Sequence, residues 1–251
     1  MTERILITGF SGNLGQRLAP LLSAHSIVGL DLHNPRSLPT GVEFVSADLA
    51  EPQSRAQLEG ILRKRNISAV FHLAFVIDPV RTGVTREDRM WQINVAGTRR
   101  LLEAIEQVNS EERRVRLFVF PSSVSAYGPS LPAPVDESAP LRASTLPYAL
   151  HKQESDEICR HFLPRLNGCA IYILRPHVYA GRTMDNFILR ALRGQPSGRG
   201  LLARLFLRFG WKVPVILPAG KENIGRFQYV HVDDMARLMA WILTHYRPNA
   251  L

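Results

Sequence analysis

Cysteine is scarce. Cys159 and Cys169 are the two in 251 residues, too few for a disulfide framework or a thiolate zinc site. Both stand among apolar residues, as small buried side chains do. A reducing, intracellular compartment is the default for such a chain. No run approaches the ~20 apolar residues of a membrane span. No cleavable signal precedes the first apolar run, so a cytoplasmic protein is expected. Internal repeats and low-complexity tracts are also missing, which excludes repeat arrays. No motif pairs base-reading residues with stacking aromatics, so the net charge of +9 is not read as nucleic-acid binding. Acidic residues are missing from one long stretch, Arg190 to Lys212. Its six basic residues (Arg190, Arg193, Arg199, Arg204, Arg208, Lys212) supply most of the excess charge. Within it, Leu201–Phe209 is both basic and apolar. Three readings fit: a core-facing helix with solvated arginines, a wall for an acidic substrate, or a segment lying on an anionic membrane surface.

What is present is a chain 45% hydrophobic, long enough for one α/β domain with a small extra lobe. Strand-like runs at Arg4–Ile7, Ile27–Leu30, Val42–Ser46, Ala69–Leu73, Leu117–Phe120 and Cys169–Leu174 alternate with helical patterns. The helices are expected near 52–65, 86–108 and from the mid-140s to Leu163. Such alternation predicts an α/β fold, a Rossmann-type doubly wound parallel sheet. The expected division is a dinucleotide-binding domain over 1–176, to which 226–246 returns. A partial substrate lobe covers 177–225 and 247–251, where the periodicity blurs.

Directly after the first strand comes Thr8-Gly9-Phe10-Ser11-Gly12-Asn13-Leu14-Gly15. Glycines at three-residue intervals between strand and helix make a cradle for a pyrophosphate, which the positive helix N-terminus favours. Gly9 would turn sharply, Gly12 would admit phosphate, and Gly15 would let the helix pack on the sheet. Ser11, Asn13 and Leu14 belong to the same cradle. Asp31 closes the second strand, where a carboxylate holds adenosine ribose hydroxyls. It favours NAD over NADP, with Arg36 nearby pulling the other way.

Tyr148 and Lys152 stand four apart on one helical face. Lys152 is expected to lower the pKa of the Tyr148 phenol, which could then take a proton from a substrate hydroxyl. Ser123 ends a strand, the edge where ligands sit in open α/β sheets. His72, also at a strand end, reads as a structural histidine. Asp233 or Asp234 reads as a helix cap.

In order and spacing these motifs resemble the extended short-chain dehydrogenase/reductases of the NAD-dependent epimerase/dehydratase group. Besides the glycine turn and Asp31, the matches are Asp48-Leu49, His72-Leu73-Ala74, Asn94 through Thr98, Ser122-Ser123, Tyr127-Gly128, Tyr148, Lys152, Leu174-Arg175-Pro176 and Val230 through Asp234. The resemblance implies a catalytic set of Ser123, Tyr148 and Lys152 supported by Asn94. Asn94 could equally be a structural bonder between loops. It also implies cofactor contacts from Asp48 and Leu49 at the adenine, and from Leu73, Ala74, Pro176, His177 and Lys152 at the nicotinamide end. The small-molecule substrate would be a sugar or another hydroxyl or carbonyl compound, and the assembly a homodimer through the helices of Trp91–Val108 and Tyr148–Leu163. The expected activity is NAD-dependent sugar epimerisation. A net dehydrogenase or reductase, and a non-catalytic NAD-binding protein, stand as alternatives. Two departures bear on the substrate. No carboxylate follows Ser123 in Val124-Ser125-Ala126, against dehydration. Val178 stands where nucleotide-sugar enzymes often carry asparagine.

Overall fold

In the computed structural model, residues 2–129, 134–166, 168–184, 186–196, 200–214 and 228–247 are described. Six strands form one parallel sheet: β1 (Arg4–Thr8), β2 (Ser26–Asp31), β3 (Val42–Ser46), β4 (Ala69–His72), β5 (Leu117–Pro121) and β6 (Ala170–Leu174). Their order is β3-β2-β1-β4-β5-β6, so the direction of winding reverses between β1 and β4. That reversal opens a crevice at the carboxyl ends of the strands. Every residue of β4 and β5 is buried, as central strands covered on both faces must be.

The connecting helices are α1 (Asn13–Leu21), α2 (Ser54–Lys64), the short α3 (Pro79–Thr82) and α4 (Glu87–Trp91), then α5 (Gly97–Glu111) and α6 (Pro147–Phe162). α5 turns Leu101, Leu102, Ile105 and Val108 inward at helical spacing, against Leu58, Ile61 and Leu62 of α2. The single helix expected over 86–108 is not what forms. A π-helical turn, Gln92–Ala96, separates α4 from α5. Its extra residue shifts the inward face and buries Asn94, which an unbroken 3.6-residue period does not foresee.

The chain divides into two compact units, 1–176 with 233–251, and 177–232. In the first, α9 (Val232–His245) contributes Met235, Ala236, Met239, Ile242 and Leu243 to the buried interior. Asp233 and Asp234 lie inside its first turn rather than capping it. Asp233 pairs with Arg17 of α1 at 2.5 Å. The second unit holds a two-stranded parallel sheet, β7 (Val178–Ala180) and β8 (Tyr229–His231), with α7 (Phe187–Leu192) and α8 (Leu201–Phe209). Here the core-facing reading of 201–209 fails. Only Ala203 of α8 is buried, and Leu201 and Leu202 are 75% and 74% exposed. A sheet of two short strands offers too little surface to cover a helix that is apolar over most of its girth. Arg199 and 215–227 lie outside the described residues.

Candidate active site

The β1–α1 turn is dictated by backbone crowding. Gly9 has φ +67°, and a Cβ there would stand 2.5 Å from the Ala74 nitrogen. A Cβ on Gly15 would meet the Phe10 carbonyl oxygen at 2.6 Å. Both positions therefore require glycine, the first to bring the turn against the end of β4, the second to seat α1. Gly12 begins α1 in extended conformation, and no side chain caps that end. The amides of Asn13, Leu14 and Gly15 form its first turn, where intrahelical acceptors do not exist. Asp31 stands beside them: one carboxylate oxygen accepts from the Ser11 amide at 2.9 Å, the other from the His33 amide at 3.3 Å.

Asp48 accepts from the Ala50 amide at 2.9 Å and pairs with Arg89. Leu49 is buried, its Cβ 3.0 Å from where a side chain on Gly97 would begin. At the end of β4, the Leu73 amide donates to the Thr8 carbonyl and the Ala74 amide to the Thr8 hydroxyl.

His72 is a satisfied interior residue. Thr98 Oγ1 donates to the Asn94 carbonyl at 2.6 Å, so it accepts from His72 Nε2 at 2.9 Å. Nδ1 then accepts from Thr8 Oγ1 at 2.7 Å. Burial, with the Lys152 charge nearby, lowers its pKa from 6.5 to about 3. An unfolded chain takes a proton on this ring that the native state refuses, so stability is complete above pH 6.5 and falls as pH drops toward about 3. His72→Gln is expected to flatten that dependence in urea unfolding followed by tryptophan fluorescence. Identical acid slopes in the two proteins would show that this ring is not the titrating group.

Asn94 ties two segments together. Its Oδ1 accepts from the Val76 amide at 2.7 Å, and its Nδ2 donates to the Val76 carbonyl at 3.1 Å and to His151 Nδ1 at 3.3 Å. Burial lowers the His151 pKa, which keeps that acceptor neutral. These bonds join the loop after β4 to α6.

Ser123 Oγ accepts from both the amide and the hydroxyl of Ser125, at 3.2 and 2.9 Å. Its own hydrogen is left to donate, and it favours the ionised form of the Tyr148 phenol. Beside it, the buried Ser122 hydroxyl has no hydrogen-bond partner among the described residues. Lys152 corrects the expectation from sequence. Its Nζ donates to the Pro121 carbonyl at 2.6 Å and lies 3.5 Å from the Phe75 ring centre but 5.9 Å from that of Tyr148. Burial lowers the Lys152 pKa to about 7. Tyr148, instead of being pulled down by this ammonium, is pushed up by its own burial. Desolvation outweighs a cation that faces a carbonyl and an aromatic ring instead of the phenol oxygen.

Pro176 accepts from the Val124 amide at 3.2 Å. His177 opens the second unit, its Nδ1 buried without a partner among the described residues. Gathered at the carboxyl edge of the main sheet, then, are the glycine turn, Asp31, Leu73-Ala74, Ser123, Tyr148 and Lys152. Among the described residues no cluster of His, Cys, Asp and Glu could hold a metal, and no helix is long and apolar enough to cross a membrane.

The profile of the NAD dependent epimerase/dehydratase family matches residues 5–250. The chain belongs to that family. Among epimerase/dehydratase relatives, a UDP-glucose 4-epimerase of Pasteurella multocida is 27% identical over 249 residues, covering 92% of this chain and 70% of that protein. The UDP-glucose 4-epimerase of Streptomyces lividans is 30% identical over 164 residues, 63% of this chain and 47% of its own length. The chain spans about half the length of most of the curated relatives it matches. MoeE5, solved with UDP-glucose and NAD, superposes with a TM-score of 0.71 at 28% identity, covering 97% of this chain and 72% of that one.

Three neighbours in this epimerase/dehydratase-family site escape a motif reading. Phe75 meets Tyr148 edge-on with ring centres 6.0 Å apart and carries the Lys152 ammonium on its face. Its only signal is its place after His72-Leu73-Ala74. His151 lies between Tyr148 and Lys152 in sequence yet reaches Asn94, a partner fifty-seven residues away. Arg175, visible in the motif but without a role, holds Asp156 of α6 in a two-pronged pair at 2.8 and 2.9 Å. It also donates to the Tyr127 hydroxyl at 2.8 Å. Helix α6, the end of β6 and the loop after Ser123 are thereby fixed to one guanidinium.

Proposed function

We propose that the chain is an NAD-dependent epimerase of a nucleotide sugar. The gathering of an uncapped helix N-terminus, Asp31, Ser123, Tyr148 and Lys152 at one sheet edge carries the reading. The names of the relatives, UDP-glucose 4-epimerases, support the substrate class, and MoeE5 was solved with both UDP-glucose and NAD. Val178 departs from the asparagine common in such enzymes.

The residues present fit NAD. A side chain at Gly9 or Gly15 would collapse the turn, and the α1 amides of Asn13, Leu14 and Gly15 would hold a pyrophosphate. The anchored Asp31 carboxylate would accept from ribose hydroxyls and repel a 2′-phosphate, favouring NAD over NADP. Asp48 and Leu49 would border the adenine, and Leu73, Ala74, Pro176 and His177 the nicotinamide end. When bound, NAD supplies a reversible acceptor for the hydride of the oxidised carbinol carbon. Tyr148 takes the hydroxyl proton of that carbon as general base and returns it to the other epimer's oxygen. Ser123 donates its remaining hydrogen to the same substrate oxygen. Lys152, held on the Pro121 carbonyl and the Phe75 face, would bond the nicotinamide ribose, and Asn94 keeps the loop after β4 in register with α6. A cytoplasmic homodimer through α5 and α6 completes the proposal. Sedimentation as a monomer at micromolar concentration would remove that part.

The test is made on purified protein. Denaturation should release NAD, identified by absorbance and mass, and UDP-glucose should convert to UDP-galactose without a net change in absorbance at the reduced-nicotinamide band. A stoichiometric rise in that band would make the protein a net dehydrogenase. Bound NAD with no turnover of any nucleotide sugar would make it a non-catalytic binder.

A further inference from the structure

The exposed face of α8 takes no part in the contacts described above. On a helical projection Leu201, Phe209 and Leu202 share one side, and Arg204 and Arg208 border it. All are exposed, Leu201 and Leu202 by about three quarters. At the helix end Trp211 stacks on Phe209 with ring centres 5.2 Å apart, each residue 57% exposed. The chain then returns to α7, where the Val213 amide donates to the Gly194 carbonyl at 2.7 Å. That bond brings Lys212 beside Gly194, close to Arg193 in sequence. No acidic residue occurs from Arg190 to Lys212.

We infer that α8 and the Trp211 turn dock on an anionic lipid surface. Leucines and paired aromatics on one side, edged by arginines, suit the boundary between acyl chains and headgroups. Tryptophan and phenylalanine bury an apolar body there, while arginine extends its charge to phosphate. Charge complementarity selects this occupant over a second copy of the chain. Two copies of an all-basic patch repel, whereas an anionic leaflet attracts every basic residue in it. A helix of nine residues gives reversible, salt-sensitive association and no insertion across the bilayer.

The experiment is co-sedimentation of the full chain with vesicles of phosphatidylcholine alone or mixed with phosphatidylserine, at low and high salt. Binding is expected only to the mixed vesicles, lost at high salt, with a blue shift of tryptophan emission that Trp211→Phe abolishes. Each basic residue near such a surface changes the partition by about fivefold, so Arg204→Gln/Arg208→Gln should weaken it by roughly 25-fold. Leu201→Ser/Leu202→Ser should weaken it at unchanged charge. NAD binding, measured on the same samples, should be unaffected by either variant, which keeps this inference separate from the proposed catalysis. Equal binding to both vesicle types, or none, overturns the inference. So does a leucine variant that alters only the sedimentation coefficient, because the face would then join protein to protein.

Discussion

Tyr148→Phe is expected to lower epimerase turnover by roughly 10²–10⁴-fold, the usual contribution of a positioned general base. The substitution removes one oxygen and leaves the ring, so the edge-on contact with Phe75 and the packing of α6 persist. Retained NAD should be unchanged, and the loss should fall on kcat. Because burial pushes the Tyr148 pKa upward, the phenol holds its proton at neutral pH and wild-type turnover should climb as pH rises. The Phe variant should lack that climb. Near-normal turnover in the variant would end the proposed chemistry.

Arg175→Leu is expected to destabilise the fold by about 3–5 kcal/mol, the cost of leaving a buried charge uncompensated. Asp156 is fully buried, and Arg175 supplies both prongs of its main pair. Arg160 also reaches Asp156, at 3.0 Å, but its side chain is 39% exposed and compensates less. The effect should therefore sit near the lower end of that range. The melting temperature should fall by several degrees, since about 1 kcal/mol shifts a domain of this size by ~2–4 °C. Arg175→Leu/Asp156→Leu should recover much of the loss, because an apolar pair replaces two desolvated charges. If the double variant is as unstable as the sum of the singles, the pair is not what holds this corner. NAD retention in the single variant, assayed well below its melting point, separates lost stability from a lost site.

The sheet was legible because parallel central strands are short, continuous apolar runs bounded by turn residues. Ala69–His72 and Leu117–Pro121 needed no knowledge of their partners. The glycine turn was legible for a steric reason: Gly9 and Gly15 have backbone where a Cβ would go, so no other residue can stand there. The π turn was not legible, since Gln92–Ala96 has the apolar spacing of an ordinary helix. Its geometry answers Thr98 and Ser155, both of which bond the Asn94 carbonyl. The exposure of α8 was hidden for a similar reason. An apolar stripe records what a helix could bury and carries no record of whether a surface exists to cover it.

By itself, then, the sequence determined the strands, the glycine turn, the family and which titratable side chains the chain offers, because those depend on local sterics and on residue type. Tertiary structure alone decided their protonation and their partners. Lys152 faces Pro121 and Phe75 instead of the Tyr148 oxygen, His72 is held neutral between two threonines, and Arg175 joins three segments. Each is a matter of desolvation and of contacts between residues far apart in the chain, and those exist only once the sheet has closed.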